Sequence, residues 1–379
     1  MGLVSGLIRR MGGGRPVLAS LRPGLDAAAE WLARAQDATP DDGVAAYYDV
    51  KKKQWAASYP ETTGYIIPTL YDYAHLTGRA EFADRATRMA VWESEIQLAD
   101  GGVRAGNMDA PKVVPTIFNT GQVLFGWAAA YEQTGEARFA ESLRAASDWL
   151  VAAQDDDGAW RRFGSPFSHA GVNVYNTRVA YGLALAGRTL GEPRYIEAAC
   201  ANVDWALTQQ QPNGWFAHND LEHNDRPLTH TIAYATRGVL EVGAVAGVDA
   251  YIDRARTVAA AVAAGQRRDG ALPGRLDADW RSAARWSCLT GNVQMAVVWL
   301  RLVELGASAD EPDWLEHARG CIAFDQSRQS LAHACGARRG AIAGSAPMRG
   351  EYMRHRYPNW AAKFYMDAVM RYMAATGVD

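Results

Sequence analysis

Cysteine is scarce. The chain has four cysteines among 379 residues, and none forms a C-x-x-C pair. That spacing supports neither a zinc site nor a disulfide framework, and free thiols fit a reducing compartment. A surplus of one charge is also missing. The formal net charge is −3, which leaves no basic footprint for nucleic acid. Long apolar runs are missing too. The N-terminal "MGLVSGLIRRMGGGRPVLASLRPG" has too short an apolar run for an export signal or a membrane span. Residues 1–24 therefore read as a flexible tail, with weak contact to a membrane surface as the alternative. The expected location is cytoplasmic. No Pro/Ser linker divides the rest, so 25–379 reads as one domain. No metal-ligand spacing stands out and no cofactor is expected; the carboxylates and histidines of the 218–230 loop could at most hold Ca²⁺ or another ion weakly. Thirteen tryptophans, by contrast, suit large cores or sugar-binding clefts.

The chain repeats. "TTGYIIPTLYDYAHLTGRAEF" from 62, "NTGQVLFGWAAAYEQTGEARF" from 119 and "NTRVAYGLALAGRTLGEPRY" from 176 recur at intervals of 57 residues, and further copies begin near Thr231 and Thr290. Each unit reads as helix, short turn, helix. Phe139, Leu143, Ala146 and Leu150 recur at helical spacing in one second helix. The turns "LTGRA", "QTGEA", "LGEP" and "AGVD" are short and carry glycine. Five pairs are complete. "PNWAAKFYMDAVMRYMAATG" from 358 reads as a first helix without a second, and "LDAAAEWLARAQDATPDDG" from 25 as a second helix without a first. Pairing the two ends makes a sixth hairpin. The expected fold is all-α: an (α/α)6 toroid of six helical hairpins, the sixth closed by the N- and C-terminal helices. First helices, rich in Gly and Ala, form the inner ring; second helices, with Arg, Glu and Asp, form the solvated outer ring.

The returns from second to first helices are long and polar: about 100–118, 155–174, 211–230, 266–288 and 330–358. All six first helices therefore begin at one end of the toroid, where a cleft with convergent polar groups belongs. "SYPETTGYIIPTL" places Glu61 at such a start, with Tyr59 and Trp55 just before it. Asn119 and Gln122 follow in the second unit. "FSHAGVNVYNTR" supplies His169, Asn173, Tyr175, Asn176 and Arg178. "GWFAHNDLEHNDRPLTHTIAY" supplies Trp215, His218, Glu222, His223, Asp225, His230 and Tyr234. "ADWRSAARWSCLTGN" adds Arg285, Trp286 and Asn292, and "MRGEYMRHRYPNWAAK" adds Tyr352, Tyr357, Asn359, Trp360 and Lys363. Plain structural roles compete with these. Asn119, Asn176, Thr231 and Thr290 sit where helix N-caps belong.

Three chemistries fit. Glycoside hydrolysis needs two carboxylates across a sugar bond. Glu61 is the first, and Asp225 leads Glu222 and Asp109 for the second. Proton abstraction beside a uronate carboxylate, ending in elimination or epimerisation, needs a clamp and a base. Tyr175, His169 and Arg178 offer those residue types at close spacing. The third is glycan binding without catalysis.

"RAASDWLVAAQDDDGAW" is similar to the aromatic–Gln–Gly–Trp repeat of terpene cyclases and related double-helical toroids, read as a structural clamp between hairpins. No D-x-D-D acid motif accompanies it. Six segments in order, "SYPETTGYIIPTL", "IFNTGQVLFGW", "VYNTRVAYGLA", "PLTHTIAYATRGVLE", "SCLTGNVQMAVVWL" and "YPNWAAKFYMDAVM", resemble the signature segments of the bacterial VpsJ-like polysaccharide biosynthesis proteins. The resemblance runs from about residue 45 to 375. It implies a six-hairpin-glycosidase-like toroid, a polysaccharide or oligosaccharide substrate and a setting among exopolysaccharide biosynthesis machinery. It carries over no catalytic residue.

Overall fold

The structure, a computed structural model, describes residues 18–166, 171–306, 310–332 and 336–378. His169 lies outside them. Among the described residues twelve α-helices alternate between two rings. The inner helices are α2 (Pro60–Thr77), α4 (Ile117–Thr134), α6 (Thr177–Leu190), α8 (Thr229–Ala246), α10 (Leu289–Glu304) and α12 (Asn359–Thr376). The outer ones are α1 (Arg22–Asp37), α3 (Ala80–Glu95), α5 (Ala137–Ala153), α7 (Pro193–Thr208), α9 (Asp249–Ala264) and α11 (Trp314–Gln326).

Composition decides the ring. α8 is buried at every residue from Thr229 to Gly243, whereas α9 buries only a stripe, Tyr251, Ala255, Val258, Ala259, Val262 and Ala263. Each inner helix packs on the next, and α12 packs on both α2 and α1, which closes the ring. The inner helices approach so closely that two glycines are obligatory. A Cβ on Gly126 would lie 2.5 Å from the Gly64 carbonyl oxygen, and one on Gly182 would lie 2.5 Å from that of Gly121. The expected (α/α)6 toroid is therefore the observed architecture.

Glutamines at the C-terminal ends of the outer helices lock neighbouring hairpins together. The Nε2 of Gln154 donates to the Gly158 carbonyl at 2.9 Å and to Ala198 on the next outer helix at 2.9 Å. Gln97, Gln210, Gln266 and Gln329 repeat this arrangement on Gly101 and Ser142, Gly214 and Arg254, Gly270 and His317, and Gly340 and Gly24. Each amide thus ties the turn that follows its own helix to a carbonyl inside the neighbouring outer helix.

The seam between the two ends of the ring is sewn twice. β1 (Tyr47–Asp49) pairs antiparallel with both β2 (Gln54–Trp55) and a strand before α12, Arg356–Pro358, with Tyr48 opposite Tyr357. Asn359 Nδ2 reaches the Ala45 carbonyl at 3.1 Å and Thr62 Oγ1 at 2.8 Å. Residues just before α1 pack on the ring as well: Leu21 is fully buried, and the Ala19 N–H meets Gln326 Oε1 at 3.1 Å.

Three of the four expected N-caps are placed differently. Asn119 lies inside the first turn of α4, whose N-cap is Thr116. Asn176 is the N-cap residue of α6, as expected, but its side chain makes no capping bond. Thr231 and Thr290 fall within the helices. For α10 the cap is Cys288, whose sulfur accepts from the Gly291 N–H. The inner helix starts are buried under the long loops, so side chains there bond to loop backbone instead. Asn119 Nδ2 holds the Arg104 carbonyl at 2.8 Å, and Thr120 Oγ1 accepts from the Val103 N–H at 2.9 Å.

Candidate active site

Five of the six inner helix starts, those of α2, α4, α6, α8 and α12, line a cavity of about 220 Å³. Glu61 is the second residue of α2, after Pro60, whose fixed φ suits a first helical position. Phe118 and Tyr175 follow at the same 57-residue interval, one on α4 and one in the 3-10 turn Val174–Asn176 before α6. His230 opens α8 and Trp360 opens α12. One helical turn deeper, Tyr65 and Tyr234 form the base. Tyr59, Asn119, Ser165, Leu221, Thr231, Tyr352 and Met353 complete the described wall.

The walls are aromatic. Phe118 stacks against Tyr175 and Tyr234, both with centroids at 5.3 Å, and His230 lies 4.4 Å from the Tyr234 ring. Trp360 Nε1 donates to the Tyr352 hydroxyl at 2.9 Å. Glu61 is the one carboxylate among the described lining residues, and none of them is Arg or Lys.

Two forces oppose each other at Glu61. A helix N-terminus favours a carboxylate, by about 0.3–1 kcal/mol and up to about 2 in buried settings. Removal from bulk water disfavours it more, and this desolvation raises its pKa to about 7, with partial relief from the Tyr59 hydroxyl that donates to Oε2. Part of the side chain faces the cavity, but a narrow aromatic cavity solvates a charge poorly. His230 moves the opposite way: burial lowers its pKa to about 4, against the hydrogen bond to Gln294. Its Nδ1 lies 2.6 Å from Gln294 Oε1. With a carbonyl oxygen as acceptor, Nδ1 carries the proton and Nε2 keeps a lone pair. At neutral pH the site therefore pairs a protonatable carboxyl with a neutral imidazole. They stand on α2 and α8, three places apart in a ring of six, so they face each other across it.

Of the residues singled out in the sequence, the cavity brings together Tyr59, Glu61, Asn119, Tyr175, His230, Thr231, Tyr234, Tyr352 and Trp360. The rest lie elsewhere. Asp225 is exposed and lines no part of it, and Glu222 and His218 are likewise exposed. His223 lies 3.9 Å from Glu351 and from Glu222. The carboxylate that organises this loop is Asp220, which accepts from the N–H groups of Glu222, His223 and Leu228 and pairs with Arg275 at 3.1 Å. Asp109 and Trp55 line a separate surface cleft, and Trp55 packs on Trp31. Trp215 is buried against Trp280. Trp286 covers Gly274, and Asn292 joins the Leu272 N–H to Asp325. Arg285 and Tyr357 border another surface pocket. Asn173 and Asn176 are buried beside Tyr175. Arg178 and Lys363 line a second cavity, at the other end of the inner helices, and Gln122 contacts Arg178 there. Tyr65 and Phe118 carried a signal that reading by residue type passes over: Phe118 holds Glu61's place one repeat later, and Tyr65 lies one turn below Glu61.

No family model matches the chain, and no curated protein matches it. Solved structures share its fold. An unsaturated glucuronyl hydrolase specific for heparin superposes with a TM-score of 0.76 at 18% identity, over 95% of this chain and 98% of that one. The unsaturated glucuronyl hydrolase of Bacillus sp. GL1, responsible for the degradation of glycosaminoglycan, gives 0.74 at 15% identity over 94% and 97%. Cellobiose 2-epimerase from Bacillus thermoamylovorans B4167 gives 0.74 at 11% identity over 93% and 98%. At such identities the likeness establishes a six-hairpin glycosidase-like (α/α)6 fold. No helix of the described residues is long and apolar enough to cross a membrane.

Proposed function

We propose that the chain is a carbohydrate-active enzyme that takes a neutral sugar residue into the Glu61 cavity and hydrolyses its glycosidic bond. The observation that carries this reading is a single carboxyl, raised to about pKa 7, on a wall of aromatic rings. Such a carboxyl donates a proton to a leaving oxygen at neutral pH. Aromatic faces pack on sugar rings, and a volume below the roughly 300–1,000 Å³ of common ligand pockets suits one ring rather than several. Glu61 gives its proton to the glycosidic oxygen, whose bond to the anomeric carbon breaks as water attacks that carbon from the opposite side. His230 Nε2 takes the proton that water loses. An acid and a base on opposite walls favour inversion at the anomeric carbon. Asp225 is too far out on the surface for the second role.

Elimination or epimerisation at a uronate, assigned to Tyr175, His169 and Arg178 on sequence, loses its clamp because Arg178 serves the other cavity. Epimerisation of a neutral sugar is the second reading. It is favoured by the free lone pair of His230, a base for a carbon-bound proton. The six segments that resemble VpsJ-like proteins support a substrate from bacterial exopolysaccharide metabolism, as a polymer, its repeat unit or a precursor.

Neutral oligosaccharides and the host's own polysaccharide, incubated in D₂O, test this. New reducing ends that fall about 10²–10⁴-fold in Glu61→Gln carry the hydrolase. Deuterium on a ring carbon without new reducing ends transfers the assignment to epimerisation. Ultraviolet absorbance from unsaturated uronates would overturn both, and tight binding without turnover would leave a glycan-binding component.

A further inference from the structure

Behind the Glu61 cavity, sharing only Tyr65 with it, a second cavity of about 260 Å³ opens at the C-terminal ends of the inner helices. Three of its cations are buried: Arg178, Arg237 and Lys363. Two are answered. Lys363 is bound by Asp367, which also accepts from Thr69, and Arg237 lies 3.5 Å from Glu241. Arg178 is not. It is 2% exposed, and its one hydrogen bond to a described side chain runs from Nε to Gln122 Oε1 at 3.3 Å. Its Nη1 and the Nε2 of Gln122 are buried without partners among the described residues. The guanidinium lies 4.1 Å from the centroid of Phe125 and 5.4 Å from that of Tyr181, both on the cavity wall. Asp72 and Glu132 are exposed at the mouth, together with Arg188. The deep end is therefore cationic and the mouth mixed.

A buried cation without a counter-charge is costly, and the usual remedy is a paired anion. We propose that this cavity binds a small oxyanion, phosphate or carboxylate, with its charged head toward Arg178 and Arg237 and any hydroxylated tail toward the mouth. A guanidinium fork matches both oxyanions. The site is separate from the sugar cavity and does not depend on what reaction occurs there.

Calorimetric titration of the full-length protein with inorganic phosphate, glucose 6-phosphate and glucuronate, with chloride at matched ionic strength, tests the proposal. Saturable binding of at least one oxyanion is expected, weakened about tenfold or more in Arg178→Gln and in Arg178→Lys. Arg178→Lys keeps the buried charge and removes only the planar fork, so it keeps the test valid if Arg178→Gln does not fold. Preference for glucose 6-phosphate over phosphate would identify an ester as the ligand, and the reverse a free ion; preference for glucuronate would identify a sugar acid. Heats indistinguishable from chloride for all three, or binding unchanged in both variants, would overturn it.

Discussion

Glu61 and His230 make the site's pH behaviour calculable. Activity by either proton-transfer route needs Glu61 protonated and His230 neutral. The rate should hold between about pH 4 and about pH 7, falling below as the imidazole charges and above as the carboxyl ionises. A pH profile of kcat/KM reads both limbs. Stability carries the same signature. Glu61's folded pKa lies above its ordinary 4.5, so its contribution is complete below about 4.5 and is lost as the pH rises through about 7. Glu61→Gln has no charge to bury. Relative to wild type it should gain up to about 3 kcal/mol between pH 5 and pH 8.5, less whatever cavity water screens. Urea melts at the two pH values decide this. That Glu61 opens an inner helix was legible in the sequence, from repeat phase. The fate of Arg178 was not. It lies three residues from Tyr175, yet Tyr175 belongs to a 3-10 turn above the helix and the arginine's long chain runs down past Phe125 and Tyr181. Lys363, one turn below the start of α12, goes the same way. Depth along an inner helix sorts residues between two cavities, and depth shows only once the helix starts are placed.

The helices hold one another through two devices, and each predicts a measurable loss. Gln154→Ala removes the two hydrogen bonds of 2.9 Å that tie the end of α5 to the Gly158 turn and to α7, so it should cost about 2 kcal/mol in urea unfolding. Gly126→Val forces a side chain onto the Gly64 carbonyl and should cost about 3 kcal/mol, with α2 and α4 pushed apart. Both devices left marks in the sequence. The aromatic–Gln–Gly–Trp pattern marked the clamp, and the small residues of the first helices marked the tight inner ring. The capping pattern misled for a physical reason. Polar residues at a helix start that lies under a loop have a choice of backbone partners: Asn119 bonds to the loop rather than to its own helix end, and Thr120 bonds to both.

An open array of helical hairpins frays from its end units, but a closed ring has none. The toroid should therefore lose its structure in one step, with tryptophan fluorescence and far-ultraviolet dichroism tracing the same urea curve. Asn359→Ala, which removes both of that side chain's seam bonds, should shift the curves together by about 2–3 kcal/mol. The ring is closed by α1 and α12, and Gly377 after α12 adopts a left-handed φ of 68°, matching 72° at Gly78, 70° at Gly135, 69° at Gly191 and 71° at Gly247. Those four glycines each lead into an outer helix through a short turn; Gly377 is shaped for the turn that would lead into α1. The molecule is thus a candidate for circular permutation: a short linker from Gly377 to Leu18, with new termini cut at Gly135, keeps Ala19 and Leu21 and leaves the described helix contacts in place. All such cut points lie on the face away from Glu61, so a permuted chain tethered by either end would present its Glu61 cavity outward.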